Sequence, residues 1–391
     1  MSDYASEKYL EAKKWVSKKI TDGYSWDDVK TLCVSINEAK NEFIQLRDDE
    51  LILPEDMEFR EWSEFINEMK KGYSAISDPY GLSNGSMGTT LPIPTDPGSP
   101  WTQYKKYLLG QKDGKRRISD NAVTQIEKNS HWILNHILRD TRVTGPKKGL
   151  VMGSVQSGKT ANMIGLATMA AHYDWNYIII LSGTIDNLRK QTRDRFMHDL
   201  LTSGGVAWHI LDKTGNPDYL VDVQNGKKYM SDNLELNLFQ NGKTAGQWMH
   251  RYVTVCLKNS TRLRNLITWL HANPAKAARL RILIIDDEAD QASVNTRKID
   301  INETEEELIE RTAVNQLVMD LVNGKNADGT IASAPFQAMN YISFTATPYA
   351  NVLNEAYEYS LYPKDFICSL PESKEYFGGK VIFGSDEDEN Y

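Results

Sequence analysis

The feature that most constrains this chain is the octapeptide GSVQSGKT, from Gly153 to Thr160, between a short apolar stretch ending at Met152 and the apolar run 161–171. It meets every fixed position of the pattern G-x-x-x-x-G-K-[ST]. Each fixed residue has a physical job. Gly153 and Gly158 let the backbone wrap so that successive N–H groups face one anion. A helix starting near Lys159 adds the positive end of its dipole. Lys159 is placed to reach the β- and γ-phosphates of a nucleotide, and the Thr160 hydroxyl to ligate Mg²⁺. The expected phosphate-binding set is Gly153, Ser157, Gly158, Lys159 and Thr160. The alternative is a chance glycine turn before a helix, and the strand–loop–helix context argues against it.

Such a loop needs a sheet behind it, and the sequence supplies the pattern. Short β-branched apolar runs at 149–152, 177–181, 252–257, 281–286 and 339–344 read as strands. Helical stretches, such as 161–172 and 187–200, lie between them. Alternation of this kind predicts an α/β fold, a parallel sheet flanked by helices. Residues 1–72 instead read as helices, with Leu10, Trp15 and Ile20, then Trp26, Val29, Leu32 and Ile36, at helical intervals. Ser25 is the expected N-cap before Asp27 and Asp28. Residues 73–100 are rich in Gly, Ser, Thr and Pro and read as a linker. The main lobe is then 101–391, entered by a basic helical lead-in over 104–138, with a polar insertion at 214–246.

Bulk properties exclude some classes. With 391 residues the chain has room for one large domain and a smaller one, and no apolar run approaches the ~18 residues of a membrane span. The first fifteen residues are polar and lack the apolar centre of a signal peptide. Cys33, Cys256 and Cys368 are an odd, widely spaced set without metal-ligand spacing, which reads as reduced thiols in a cytoplasm. The net charge of −8 excludes a globally basic nucleic-acid binder, so DNA contact must come from local patches.

A second element supports the loop. The run RILIIDDEAD, from Arg281 to Asp290, is an apolar strand ending in carboxylates. A buried parallel strand delivers such acids to its C-terminal edge, where the phosphate loop also lies. One Asp there can hold Mg²⁺ and a neighbouring Glu can orient and deprotonate an attacking water. Asp287 is assigned to the metal and Glu288 to the water, with Asp286 left open as an alternative metal acid.

These residues carry a resemblance. Residues 287–290 spell DEAD, the box of superfamily 2 helicases; TATP at 345–348 resembles their third motif, and SGT at 182–184 with NLRKQT at 187–192 their first motif along the nucleic acid. The wording VMGSVQSGKTANMIGL, LSGTIDNLRKQTRDRF, ILIIDDEADQASVNT and ISFTATPYANVLNE is similar to the Z-one domain family, helicase-like ATPases of bacterial restriction and defence loci. The resemblance covers roughly residues 101–391. It implies a RecA-like P-loop lobe that binds and hydrolyses ATP with Mg²⁺. It implies catalytic roles for Lys159, Asp287 and Glu288, coupling through Thr345 and Thr347, and a nucleic acid near Thr184, Arg189 and Gln191. It also implies a second RecA-like lobe bearing arginine fingers, in the same chain or another. Expected partners are DNA and a nuclease, methyltransferase or GHKL-type ATPase of the locus. Two departures stand out: Thr345 replaces the usual Ser of the third motif, and no adenine-reading glutamine is identified, Gln125 having no clear neighbours. No second lobe is read before Tyr391, so nucleotide binding with little hydrolysis is expected of this stretch alone.

The basic residues form three clusters: Lys105 to Arg117, Arg189 to Arg195, and Lys258 to Arg264. The first reads equally as a solvated helix face. The other two follow sheet strands, which favours DNA contact by Arg189, Arg193, Lys258 and Arg262. A nuclease centre is not expected. The E-x-K tripeptide at Glu372 to Lys374 recurs at Glu11, Glu38 and Glu68 within ordinary helical stretches. The histidines, including His131, His136 and His172, lack zinc spacing. A nucleotide-gated module that recruits a partner nuclease, without moving along DNA, is the alternative to a motor; an endonuclease with its own metal centre is the second.

Overall fold

The computed structural model describes residues 7–21, 24–49, 51–74, 79–84, 90–112, 115–116, 118–153, 158–183, 186–213, 216–236, 249–290, 313–348, 351 and 360–371. The chain divides into two compact units. The first takes in Met1–Ser77 and Gly110–Asn121, the second Asp78–Leu109 and Ala122–Pro371.

The first unit contains helices α1 (Leu10–Thr21), α2 (Trp26–Lys30), α3 (Ala39–Ile44) and α4 (Phe59–Ser74). Ser25 caps α2 as its sequence suggests: its hydroxyl accepts from the Asp28 N–H, and the Asp28 carboxylate accepts from the Ser25 N–H. Reciprocal capping satisfies two N–H groups that a bare helix start leaves orphaned. The core is built from Tyr9, Ala12, Val16, Val29, Phe43, Trp62, Phe65 and Ile66. On α1 the fully buried residues are Ala12 and Val16, while Trp15 packs partly buried against the same core and Leu10 is half-buried. The small Ala12 permits a closer approach than bulky residues would. Ile36 is 81% exposed rather than in the core. The buried Trp62 indole donates to the Val29 carbonyl, so its polar atom is satisfied.

The second unit is a large, mostly parallel sheet with helices. Its elements in chain order are β1 (Tyr80–Ser83), α5 (Pro100–Leu109), α6 (Asp120–Leu134), β4 (Lys147–Met152), α7 (Lys159–His172), β5 (Tyr177–Ser182), α8 (Asp186–Ser203), β6 (Ala207–Lys213), β7 (Leu220–Asp222), β8 (Lys228–Tyr229), β9 (His250–Leu257), α9 (Ser260–His271), α10 (Pro274–Ala277), β10 (Arg281–Asp287), α11 (Ala313–Val322), β11 (Ala338–Thr345) and β12 (Phe366–Ser369). Strands β2 (Gln111–Lys112) and β3 (Lys115–Arg116) form a separate hairpin within the first unit. The sheet order is β1-β12-β4-β11-β10-β5-β9-β6-β7-β8. From β12 to β6 every pairing is parallel, while both margins are antiparallel. The strand ahead of the phosphate loop, β4, is thus separated from the acid-bearing β10 by one strand, β11.

Burial explains the apolar runs. Strands β5 and β11 are buried along their whole length, as parallel strands covered on both faces must be. Helix α7 is buried from Ala161 to Ala171, which is why its sequence is apolar all round. Gly149 on β4 sits across from Phe366 of β12, and a Cβ there would lie 2.1 Å from the ring, so only glycine fits.

Three sequence expectations change. The glycine- and proline-rich stretch is, where described, integral to the second unit. Strand β1 pairs with β12, the Leu91 N–H donates to Asn135 Oδ1, and the Tyr173 hydroxyl donates to the Pro92 carbonyl. Its composition reports the absence of helix, not the absence of packing. The lead-in is two helices, α5 and α6, interrupted by the β2–β3 hairpin; Gly110 and the Asp113–Gly114 pair were the turn signal in sequence. The polar insertion supplies β7 and β8, which lengthen the sheet beyond β6. His136 stacks on Trp132 and burial lowers its pKa, a packing role. Among the described residues no helix is long and apolar enough to cross a membrane.

Candidate nucleotide site

Strands β4, β11 and β10 end on one edge of the sheet. Their register places Met152 beside Thr345 and Phe344 beside Asp287. The Gly153 N–H donates to the Thr345 carbonyl, so the start of the loop is tied to the end of β11. Residues 154–157, including Ser157, lie outside the described residues. The chain re-enters at Gly158 with φ +71°, a left-handed conformation that costs glycine little. Gly158 is also the N-cap of α7 and offers no side chain to the helix start. The first-turn N–H groups of α7 therefore lack a side-chain cap, which suits an anion. Lys159 and Thr160 open the helix there, both partly exposed.

A relay of amides braces this turn. Asn162 Nδ2 donates to the Gly158 carbonyl at 3.1 Å, Asn129 Nδ2 donates to Asn162 Oδ1 at 3.0 Å, and Gln125 Nε2 donates to Asn129 Oδ1 at 2.9 Å. Asn129 and Asn162 are nearly fully buried, so each amide needs its partner. Gln125, unplaced by its sequence neighbours, is thereby linked to the loop across α6 and α7. The available signal was an asparagine inside an otherwise apolar helix.

The acids on β10 separate into distinct environments. Asp286 is fully buried, 2.7 Å from the equally buried Lys258 ammonium, and its other carboxylate oxygen accepts from the Tyr341 hydroxyl. Asp287 is partly exposed at the strand end. Burial, then the neighbouring Glu288 charge, push its carboxyl up to about 6, against the opposing pull of Lys159 and Lys258. The Lys159 influence brings loop and acid into one electrostatic site. Glu288 has φ +52°, an uncommon conformation for a side-chain-bearing residue, and its N–H donates to Asp287 Oδ1.

A raised carboxyl has a defined consequence in Mg²⁺-free buffer. Well below pH 4, at about pH 3 or less, folded and unfolded chains both carry the Asp287 proton. As pH rises toward about 6, the folded chain keeps a proton that the unfolded chain has lost, so stability falls. The deficit is then complete, at up to about 3 kcal/mol. Asp287→Asn should therefore gain stability over the unsubstituted chain at pH 8 but not at about pH 3, measured by denaturant unfolding. A pH-independent difference would contradict this.

Next along the turn, Asp290 gathers the two threonines of the TATP run. Thr345 Oγ1 donates to Asp290 Oδ1 at 2.9 Å and Thr347 Oγ1 to Asp290 Oδ2 at 2.7 Å. Burial opposes ionisation of Asp290, but the Thr347 and Thr345 hydroxyls, a backbone hydrogen bond and the Lys258 charge together lower its pKa. The Ala289 N–H donates to the Phe344 carbonyl, locking the turn to β11. Asp290 closes the DEAD string, but nothing in its sequence neighbourhood marks the threonines it holds.

The cations expected to meet DNA are placed differently from that expectation. Lys258 is buried against Asp286 and cannot present its charge to a ligand outside. The Arg189 side chain is 4% exposed and ion-paired with both Asp186 and Asp212. Arg193 also pairs with Asp212, and Arg262 with Asp186. The Arg189 hydrogen bond, with Lys190 and Arg262 adding to it, lowers Asp186 to about 2. Spacing along a chain reports where cations lie, not which acids from other elements neutralise them. Gln191 is exposed on α8, and Thr184 lies outside the described residues.

No protein-family model matches the chain, and no curated protein does. Among solved structures it is similar to a DUF1998 helicase, MrfA, in a crystal structure with DNA and AMPPNP. The two share 11% identity at a TM-score of 0.33, over 80% of this chain. The match spans 34% of that helicase, about a third of its length.

Proposed function

We propose that this chain binds ATP with Mg²⁺ at the C-terminal edge of its parallel sheet, as a RecA-like P-loop lobe, and hydrolyses it to act on DNA. The observation that supports the reading is the meeting of the ends of β4, β11 and β10, with Gly153 tied to Thr345, Asp287 in register with Phe344, and Asp290 bridged to Thr345 and Thr347. The donor set fits the ligand: an uncapped helix start and Lys159 for phosphate, and Thr160 with Asp287 for a hard divalent cation. When bound, Mg²⁺ offsets charge on the β- and γ-phosphate oxygens.

The chain's own groups do the rest. The α7 N–H groups and Lys159 fix the phosphates. Glu288 orients water for in-line attack and accepts its proton, its left-handed backbone aiming the side chain. Asp290 joins the acidic turn to Thr345 and Thr347, so that a change at the phosphates reaches the end of β11. Exposed Gln191 and the rims of the Arg193 and Arg262 ion pairs are the DNA-facing groups in this reading. The motif resemblance would set such an ATPase in a bacterial restriction or defence locus.

The acid pairing of Arg189, Arg193 and Arg262 favours a second reading, a nucleotide-gated module that recruits a partner. One experiment separates the two: phosphate release from Mg²⁺–ATP by the longest available form of the protein, with and without duplex or single-stranded DNA. The DNA reading expects turnover that rises severalfold with DNA. Nucleotide binding indifferent to DNA would support the module.

A further inference from the structure

An ammonium group has three N–H donors and no acceptor, so a buried lysine must find acceptors on several sides. Lys258 stands just past the end of β9 with its side chain fully buried. Besides the Asp286 carboxylate at 2.7 Å, its Nζ donates to the backbone carbonyl of Asp287 at 2.9 Å and to that of Glu288 at 2.7 Å. These carbonyls belong to the two residues assigned to metal and water. Asp287 closes β10 and Glu288 opens the turn that follows, where the strand ladder runs out. Lys258 reaches them from β9, which is separated from β10 by β5, and its own N–H donates to the Ser182 carbonyl at the end of β5.

We infer that Lys258 is a positioning residue for ATP hydrolysis, fixing the peptide units of Asp287 and Glu288 so that both side chains face the phosphate site. The inference rests on the proposed ATPase reading and adds to it a residue outside the four motif stretches at 153–160, 182–192, 287–290 and 345–348. Three observations converge on it. Charge-assisted bonds to carbonyls are roughly twice as strong as neutral ones, and these come from an ammonium that is itself fully buried. Glu288 occupies a left-handed conformation that persists only where the surroundings impose it. Asp286, held by Lys258 and Tyr341, acts as the counter-charge that keeps the ammonium in place. Lys258 touches neither phosphate nor water in this scheme and acts through the turn.

The test compares kcat with nucleotide affinity. Lys258→Met alone would strand the Asp286 charge and Asp286→Asn alone would strand the Lys258 ammonium, so the informative variant is Lys258→Met with Asp286→Asn, which removes both charges, read against the unsubstituted chain. Turnover is counted per site that binds a non-hydrolysable ATP analogue with Mg²⁺, which removes any unfolded fraction. The expected result is a kcat at least about tenfold lower in the double variant, with analogue affinity within about twofold, because the phosphates are held chiefly by α7 and Lys159. Equal kcat values in the double variant and the unsubstituted chain would overturn the role of Lys258 while leaving the ATPase reading intact. Absence of both analogue binding and turnover in the unsubstituted chain would overturn the ATPase reading, and this inference with it.

Discussion

Glu288→Gln is expected to leave Mg²⁺–ATP bound and to cut hydrolysis by about 10²–10⁴-fold, the usual contribution of a positioned general base. The substitution keeps the side chain's size and hydrogen-bonding reach and removes only its ability to take a proton. It also keeps the backbone at φ +52°, which Lys258 and the Ala289–Phe344 bond impose irrespective of the side chain. Binding should be unchanged or slightly tighter, since one negative charge near the phosphates is lost. Single-turnover phosphate release against nucleotide affinity checks both halves. Retention of full turnover would move the water-activating role elsewhere.

The second large effect is on stability. Asp286→Ala should cost the second unit about 3–5 kcal/mol, because it leaves the fully buried Lys258 ammonium without its counter-charge. The Tyr341 hydroxyl loses its acceptor at the same time. Urea unfolding should show a lower midpoint for the second unit. Combining Asp286→Leu with Lys258→Met removes both charges and should recover most of the loss, as apolar replacement of buried pairs often does. A mild effect of Asp286→Ala, below about 1 kcal/mol, would mean that the pair is solvated or easily rearranged.

Much of the second unit was legible in the sequence, because parallel strands buried on both faces must be written as short β-branched runs. The expected strands at 177–181, 252–257 and 281–286 lie within β5, β9 and β10. The turn glycine and the start of α7 follow from the octapeptide itself. What the sequence concealed was non-local. Strand β12 is four residues long, and its place beside β4 depends on the missing Cβ of Gly149. On α1 the larger apolar residues stand out in the sequence, yet the fully buried positions include the small Ala12, with Trp15 only partly buried beside it. Lys258 and Arg189 looked like DNA contacts because a basic residue after a strand is ambiguous. Only the fold shows that Asp286 and Asp212 reach them from other elements. The same blindness applied to Asp290, whose partners lie 55 and 57 residues away.

The central claim is that the loop and the acidic turn form one Mg²⁺-dependent nucleotide site. Titration of the full chain with ATP, with Mg²⁺ and with EDTA, tests it most directly when repeated on Lys159→Ala. Saturable binding that needs Mg²⁺ and weakens by at least about a hundredfold in the variant is the predicted result. Binding of equal strength in Lys159→Ala, or none in the unsubstituted chain, would contradict it.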